Sequence, residues 1–360
     1  MYKRQIAEYL KIQSRGTYIV LNDLELIGRD SEFRFGTDNV MFNGKIDFNG
    51  HKIKVHTKEH NNFQPLFYKI GKEGIIQNLV LDYYIDNTKT HRITGIAEDN
   101  YGKIENIHIN LKECTDISRN QVYLIGCDNY GTINKFVVYA KKSLVGSNEL
   151  TLGVNNNYGT IKNGYLYGEN IQETFKAPGV AKKLGAPLVC QNNGNGTIKN
   201  IYSLVSVDTD IESNVSNLIQ NNTGNATVEN VYSVGIGNMY NVNFGPNIYG
   251  TNSSNIKNNY YFTDEVFKNK YHTTTTKLAL HDANFQNKLL NQEKAFIVDE
   301  LIEKGYYPWV EFPECMPKQE YIKLPEVQDK DLPDILSTDL LEQGTDKVKI
   351  KICLLYTSPS

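Results

Sequence analysis

One short phrase of residues returns at near-constant intervals along most of the chain. Its clearest copy is Asn157-Tyr158-Gly159-Thr160-Ile161-Lys162-Asn163, and related copies lie on both sides of it. The aliphatic residue of successive copies stands at positions 76, 104, 133, 161, 198, 228 and 256, so the intervals are 28, 29, 28, 37, 30 and 28 residues. A period in this range indicates stacked supersecondary units, none of which can bury its apolar face alone.

The pattern inside one unit predicts its secondary structure. In residues 196–205 apolar side chains recur at nearly every second position, which indicates strands rather than helices. The alternation changes phase at Asn200, and a bend there would let Ile198 and Ile201 both face inward. Strand, corner and strand in each repeat predict an all-β parallel β-helix, whose rungs lie about 4.8 Å apart. A β-propeller would need about 40 residues per blade.

Composition excludes several classes of protein. The 360-residue chain is 40% hydrophobic, which is enough for one long core. Its net charge is −3 and Arg is absent after Arg119, so we expect no nucleic-acid partner. No run of 18 apolar residues occurs, and Met1-Tyr2-Lys3-Arg4 is not followed by the apolar core of a signal peptide, so we expect no direct membrane insertion by this chain.

The repeat also divides the chain. We expect an N-terminal cap at 1–15, a β-helix of about eight rungs at 16–262, and a mixed helical and irregular cap over the last rung at 263–325. Residues 326–352 are interpreted as a linker and the first strand of a following module. Residues 353–360 resemble a translated transposase adapter of short-read sequencing libraries, so we expect the natural protein to differ from there onward and to continue.

Three sequence segments together resemble a known family. They are Tyr18-x-x-Leu21-Asn22-Asp23-Leu24, then Phe42-x-Gly44-x-Ile46-Asp47-x-Asn49-Gly50-His51-x-Ile53, then the repeated Asn-x-Gly-Thr-Ile-x-Asn units. They are similar to the GLUG-motif right-handed β-helices of bacterial surface proteins, which include adhesins and the non-catalytic stalks of cell-wall zinc metallopeptidases of the immunoglobulin-A-cleaving type. Lys135 and Ala226 depart from the motif.

The resemblance implies a right-handed, pectin-lyase-like solenoid in an extracellular protein of the cell surface or cell wall. It implies a non-catalytic adhesin or stalk, monomeric, with a carbohydrate or a host surface protein as partner. Two alternatives stay open: the non-catalytic solenoid of a truncated zinc metallopeptidase, and a polysaccharide-cleaving β-helix enzyme.

The repeated small and amide residues have structural interpretations. We expect the repeat glycines to adopt positive φ at a turn; they are Gly102, Gly131, Gly159 and Gly196. We expect the corner asparagines to form a hydrogen-bonded ladder between rungs; they are Asn78, Asn106, Asn163, Asn200, Asn230 and Asn258. Lys135 takes the corner position in one rung and should interrupt that ladder.

Tyrosines recur in two columns, and both are candidate ligand sites. One column holds the turn residues Tyr101, Tyr130 and Tyr158, and the other follows the corner asparagines with Tyr165, Tyr202, Tyr232 and Tyr260. Outward rings would offer an apolar face with wet hydroxyls to a sugar. The alternative is packing between rungs that simply covers the sheet. A loop at 168–185 is a further candidate for partner binding.

Signals of catalysis are few. The seven histidines form no His-Glu-x-x-His motif and no Cys-x-x-Cys occurs, so we predict no catalytic residue, no metal and no cofactor. No column of carboxylates with a basic residue opposite is apparent, and the acids that merit inspection are Asp47, Asp82 and Asp86. We expect buried thiols rather than disulfides at Cys114, Cys127, Cys190 and Cys315.

Overall fold

A computed structural model describes residues 14–27, 40–57, 65–85, 92–114, 120–140, 147–173, 187–209, 216, 218–234, 248–251, 255–262, 273–274 and 277–326. The chain divides into two compact units, Met1–Leu324 and Pro325–Ser360, and the architecture below is that of the first. The predicted linker and adapter segments, Asp86, residues 1–13 of the predicted N-terminal cap and residues 174–186 of the predicted loop lie outside the described residues.

Two parallel sheets contain most of the described strands. The longer sheet has twelve of them: β1 (Thr17–Ile19), β2 (Leu24–Ile27), β3 (Lys45–Asp47), β4 (Lys52–Thr57), β6 (Ile75–Ile85), β9 (Lys103–Cys114), β12 (Thr132–Ala140), β15 (Thr160–Glu173), β17 (Thr197–Thr209), β19 (Thr227–Val234), β21 (Ile256–Phe262) and β22 (Thr273–Thr274). The second has seven: β5 (Phe67–Ile70), β8 (Ala97–Asn100), β11 (Gly126–Asn129), β14 (Val154–Asn157), β16 (Val189–Asn192), β18 (Ile219–Asn222) and β20 (Ile248–Thr251).

The remaining described elements are few. A short parallel sheet joins β7 (Arg92–Thr94), β10 (Asn120–Tyr123) and β13 (Ser147–Thr151). The segment after these sheets contains a 3-10 helix (Lys277–His281), α1 (Ala283–Leu290), β23 (Phe296–Ile297), α2 (Asp299–Glu303) and β24 (Trp309–Val310). Within the described ranges, no helix is long and apolar enough to cross a membrane.

The aliphatic residue of every repeat lies directly beside that of the next. The aligned positions are Ile46, Ile76, Ile104, Ile133, Ile161, Ile198, Val228 and Ile256. The five residues from Ile104 to Val228 in this column are at most 1% exposed and belong to the apolar core inside the β-helix. Successive repeats are therefore successive turns of one parallel β-helix, which confirms the predicted fold class.

A left-handed backbone conformation makes the corner of each rung. Asn78, Asn106, Asn163, Asn200, Asn230, Asn258 and also Lys135 have φ between 49° and 58°. One such residue breaks the strand alternation, so Ile198 and Ile201 on either side of Asn200 both face the core and are fully buried. Asparagine tolerates this region better than most residues because its short amide can bond locally.

The repeat glycines have a different role from the predicted one. Gly102, Gly131, Gly159 and Gly196 are not among the residues with positive φ, so the prediction of positive φ was wrong. A Cβ atom on Gly131 would collide with the carbonyl oxygen of Gly102, and one on Gly159 with that of Gly131. Glycine is needed because successive turns approach too closely there for any side chain.

The corner amides bond from rung to rung along the long sheet. Nδ2 donates to Oδ1 of the preceding corner from Asn106 to Asn78 (2.8 Å), Asn200 to Asn163 (2.9 Å), Asn230 to Asn200 (3.0 Å) and Asn258 to Asn230 (2.8 Å). At the foot of this outer ladder Asn78 donates to the Asp47 carboxylate at 2.8 Å. Lys135 carries no amide, and Asn163 donates instead to Asn134 at 2.8 Å.

The described part of the segment that follows the β-helix packs on its side, and this includes the side of the last rung, where Phe285 contacts Tyr260 and Phe262. Residues 277–324, named the strap here, lie along the outer face of the long sheet: Lys135 Nζ donates to the Glu311 carbonyl (2.9 Å) and Tyr202 Oη to the Pro308 carbonyl (2.5 Å). A Cβ on Gly50 would collide with the carbonyl of Cys315, so the strap also reaches one of the earliest rungs. The prediction of an end cap at 263–325 is corrected to a lateral cover for the part that the structure describes.

An apolar layer holds the strap against the sheet. The layer contains residues of the β-helix, among them Tyr165, Tyr202, Tyr232 and Phe262, and residues of the strap, among them Leu289, Phe296, Tyr307 and Val310. The described residues thus form two large apolar layers, one inside the β-helix and one between its outer face and the strap. Outward-facing strand positions are apolar here because the strap removes them from water.

One carboxylate of the strap bonds three side chains of the β-helix. Glu293 accepts from Lys162 Nζ at 2.6 Å, from Lys199 Nζ and from Asn163 Nδ2 at 3.2 Å. Partial burial alone would raise the pKa of Glu293, but the hydrogen bonds from Lys162, Lys199 and Asn163 outweigh it and lower the pKa from 4.5 to about 2. The carboxylate is therefore ionised at neutral pH and bridges two consecutive rungs.

Replacing Ile161 with alanine should lower the free energy of unfolding by about 2 to 4 kcal/mol, because a cavity opens in a middle rung. Chemical denaturation measures this loss. Ile19→Ala makes the same chemical change at a side chain that is 63% exposed, and it should cost far less. Equal unfolding midpoints for the two variants would contradict the register.

Asn200→Ala should destabilise the protein by about 3 to 4 kcal/mol, since it removes two ladder bonds and places alanine at positive φ. Asn200→Gly loses the same amide but accepts the conformation, so it should recover about 1 kcal/mol. Unfolding midpoints of the two variants, with Asn195→Ala at an exposed turn as control, separate backbone strain from hydrogen bonding. A glycine variant as unstable as the alanine variant would show that strain is unimportant.

Glu293→Gln should lower stability at pH 7 by about 1 kcal/mol after allowing for solvent screening. Because the pKa is lower in the folded state, the wild-type advantage is complete above pH 4.5 and disappears as pH falls towards 2. Unfolding curves from pH 7 to pH 2 should converge for wild type and variant. Glu300→Gln, at an exposed ion pair with Lys304, should change the pH curve less.

Candidate functional site

The first tyrosine column lies on the turn between the second sheet and the long sheet. Tyr101, Tyr130 and Tyr158 directly follow β8, β11 and β14. Their rings stack face to face, with centroids 4.7 and 4.9 Å apart and planes within 6° of parallel. Tyr130 is 42% and Tyr158 39% exposed, so the column does face outward.

The stack turns ring edges rather than ring faces towards solvent. Each face of Tyr130 is covered by a neighbouring tyrosine, and a Cβ on Gly194 of the next rung would be in ordinary van der Waals contact with Tyr158, 3.9 Å from Cδ1. A sugar that packs on an aromatic ring needs a free face. The predicted platform is therefore corrected to a strip of edges and hydroxyls about 10 Å long, as two strand spacings give.

A second amide ladder, which the sequence analysis did not assign, lies buried beside this stack. Nδ2 donates to Oδ1 of the following rung from Asn100 to Asn129 (2.7 Å), Asn129 to Asn157 (2.7 Å), Asn157 to Asn192 (2.8 Å) and Asn192 to Asn222 (2.7 Å). These asparagines end their short strands and so fix where each turn begins. Part of the signal was present in the Asn-Tyr-Gly phrase, which supplies Asn100, Asn129 and Asn157, whereas Asn192 and Asn222 stand two residues further from the glycine position of their repeats.

The two ladders run in opposite senses. In this inner ladder the earlier rung donates, whereas in the outer ladder the later rung donates. Groups at the ends fix both senses: the Asp47 carboxylate can only accept from Asn78, and the Gly102 N–H can only donate to Asn100 Oδ1, at 3.1 Å.

A polar column stands next to the stacked tyrosines. Lys69, Asp99, Asp128 and Asn156 pair in register on four consecutive strands. Lys69 Nζ lies 3.4 Å from Asp99, and Asn156 Nδ2 donates to Asp128 at 2.7 Å. This column of two carboxylates was not predicted from the sequence, because Asp99 and Asp128 become neighbours only when the rungs are aligned.

The Tyr130 hydroxyl at this site is protonated at neutral pH. Burial raises the pKa of Tyr130 to about 12, and Asp128 and the neighbouring tyrosines add to the shift. The site can therefore donate from its hydroxyls, accept at its carboxylates and accept or donate at Asn156. No group of three or more His, Cys, Asp or Glu that could hold a metal ion occurs within the described ranges.

The second tyrosine column cannot bind a dissolved ligand in this structure. Tyr165, Tyr202 and Tyr232 are fully buried and stack on one another, with centroids 4.7 and 5.2 Å apart. Tyr202 also contacts Tyr307 of the strap, at 5.9 Å between centroids. Their prediction as ligand residues was wrong because the strap covers them.

The other candidate residues have structural partners. Asp47 accepts from Asn78 at the foot of the outer ladder; burial alone would raise its pKa, but this bond and those from the Asn49 N–H and Gln77 lower it. Asp82 is almost fully buried, 3.3 Å from Lys52 Nζ, and accepts from Asn110 at 2.7 Å. Neither carboxylate is available to a substrate.

The cysteines divide by environment. Cys127 and Cys190 are buried and form no disulfide, as expected, but Cys315 of the strap is exposed. The Cys114 side chain lies outside the described part of the chain. No role in binding follows from any of them.

Comparison with known proteins adds little. No protein-family model and no curated protein sequence match this chain. Among solved structures, one described as IgA1 Protease superposes with a TM-score of 0.43 at 12% sequence identity, over 86% of this chain and 24% of that chain. The chain spans about a quarter of the length of that protein, and a likeness this low carries no argument about what the chain does.

Tyr130→Ala should lower the free energy of unfolding by about 1 to 3 kcal/mol, because it removes two aromatic contacts of about 0.5 to 1.5 kcal/mol each. Tyr130→Phe keeps the ring and should be close to neutral in the same denaturation experiment. If the phenylalanine variant lost as much stability as the alanine variant, the hydroxyl rather than the stack would be stabilising the turn.

Proposed function

We propose that this chain is a non-catalytic β-helical stalk of a bacterial cell-surface protein. The observation that supports this best is the unbroken register of eight aligned residues from Ile46 to Ile256, bonded further by two amide ladders. Seven strand spacings give this part a length of about 34 Å. Repeated backbone pairing, interior packing and a lateral strap make a stiff spacer rather than a pliable linker.

The polar side chains support a mechanical role more than a chemical one. Asp47 and Asp82 are engaged by amides or by lysine, and the tyrosine faces at the turn cover one another. What the site offers to solvent is hydrogen bonding at edges. An adhesin that uses this face would therefore bind its partner through hydroxyls, carboxylates and amides.

One observation favours a second candidate, a polysaccharide-cleaving β-helix. Asp99 and Asp128 lie on adjacent parallel strands, at a backbone spacing of about 4.8 Å. That is close to the carboxylate separation of about 5 to 5.5 Å that retaining glycosidases use. The ion pair of Lys69 with Asp99 and the amide on Asp128 weigh against it, since both carboxylates already have partners.

Extracellular location, a carbohydrate or host-protein partner and a monomeric state are parts of the same proposal, and their support is the resemblance of the repeat phrase. The related alternative, the non-catalytic solenoid of a zinc metallopeptidase, gives this segment the same role in a different protein. A complete gene that encodes His-Glu-x-x-His elsewhere would favour that alternative.

The test of the stalk is labelling of intact cells of the source bacterium with an antibody raised against residues 14–324. We expect labelling without permeabilisation, at the level of a known surface protein. Labelling that appears only after permeabilisation would contradict the proposal.

The enzyme candidate has its own test. Purified protein is incubated with a panel of polysaccharides while new reducing ends are measured, with Asp128→Asn as the matched variant. We expect no release by either protein. Release by the wild type that the variant abolishes would replace the stalk with the enzyme.

A further inference from the structure

An exposed aromatic cluster lies on the strap, away from both tyrosine columns. Tyr321 is 56% exposed, and its ring contacts Trp309 at 4.5 Å and Tyr306 at 4.9 Å between centroids. Ile297, itself 37% exposed, pairs with Trp309 across the antiparallel strands β23 and β24. Together these side chains form one continuous apolar surface.

The backbone beneath the cluster is held firmly. Tyr307 N–H donates to the Ile322 carbonyl and Leu324 N–H to the Gly305 carbonyl, both at 2.9 Å. The buried Gln319 amide bonds both backbone groups of Val310, and Trp309 Nε1 donates to the Glu320 carbonyl at 2.9 Å. The indole is thus fixed in place before any ligand arrives, which reduces the entropy cost of binding.

Folding does not account for these rings. Their neighbours Tyr307, Val310 and Leu324 belong to the apolar layer between strap and sheet, whereas Tyr306, Trp309 and Tyr321 belong to neither apolar layer of the protein. Contiguous aromatic surface left in water is uncommon unless it binds something.

The chemistry around the cluster indicates a small ligand with both an apolar face and polar edges. Lys323 forms a β-bridge with Tyr306, and Lys304, which bonds Glu300 at 2.6 Å, lies two residues before Tyr306 in the sequence. Charged residues are depleted at the centres of protein interfaces, which bury about 800 Å² per partner. Three rings surrounded by charge match a sugar ring better than a protein.

A quaternary ammonium group is the other small ligand that aromatic clusters bind. Such a cation sits among rings that stand apart. Here Tyr321 is in direct contact with both neighbours, and its ring is tilted by 53° to Tyr306 and by 42° to Trp309. Rings in direct contact leave no space between them for such a cation.

We propose that Trp309, Tyr321 and Tyr306 form a carbohydrate-binding platform, which packs against the apolar face of a pyranose unit while Lys304 and Lys323 bond its hydroxyls. This rests on the carbohydrate partner of the proposed function and gives that partner a site on the strap. The cell-labelling test of the stalk does not depend on it.

The only tryptophan of the 360-residue sequence is Trp309, so its fluorescence reports on this surface alone. The full chain is titrated with chitohexaose, cellohexaose and xylohexaose, then applied to a printed glycan array. We expect saturable fluorescence change with at least one glycan. Tyr321→Ala should weaken that binding at least tenfold while circular dichroism stays unchanged, since Tyr321 is part of neither apolar layer.

Tyr84→Ala is the matched control, since it removes a half-buried tyrosine that stacks on His56 of the β-helix, outside both tyrosine columns and the strap, and it should leave glycan affinity unchanged. The platform is overturned if no glycan binds in either assay, or if binding survives Tyr321→Ala. Saturation by choline chloride instead of sugars would replace it with a cation site. Self-association that Tyr321→Ala abolishes in sedimentation, without glycan binding, would assign the surface to a second copy.

Discussion

The left-handed corner residue is the constraint on which the rest of this structure depends. A continuous strand would turn alternate side chains inward and outward without end, and could not wrap around a core. One residue per turn at φ near 54° breaks that alternation, so that apolar residues on both sides of the corner face the interior. Asparagine accepts this conformation at modest cost and then bonds the next asparagine, so the residue that bends the chain also sets the spacing between turns.

The register between successive rungs could be predicted from the sequence. It follows from the alternation of apolar and polar residues within a repeat and from the spacing of the repeated aliphatic residue, and both can be counted along the chain. Ile161 was expected beside Ile133 and Ile198, and it lies there. Which residue of the phrase takes positive φ could not be predicted, since asparagine and glycine both tolerate it. Glycine is required because the backbone at Gly131 lies very close to Gly102 of the preceding turn. This contact joins two repeats, so the sequence of one repeat does not reveal it.

The candidate site was harder to predict for a related reason. Tyr158 and Tyr202 occupy outward positions that look alike in sequence, yet one column meets solvent and the other meets the strap. The contacts that distinguish them join residues more than a hundred positions apart, such as Tyr202 with Pro308 and Lys135 with Glu311. A segment that follows a solenoid in sequence is easily predicted to cap the end of the solenoid. The larger apolar surface to which it can bind lies along the side of the solenoid.

The opposed senses of the two asparagine ladders have an electrical consequence. Amides aligned head to tail sum their dipoles, as peptide groups do along an α-helix, and a long single ladder would accumulate charge of opposite sign at its two ends. In this protein the outer ladder donates towards the first rung and the inner ladder towards the last, so the two sums of dipoles oppose each other. Each added turn then lengthens both ladders, and the partial charge at either end of the stack grows less than it would with a single ladder. The electrostatic cost of a longer stack is therefore reduced, which favours variation in the number of turns.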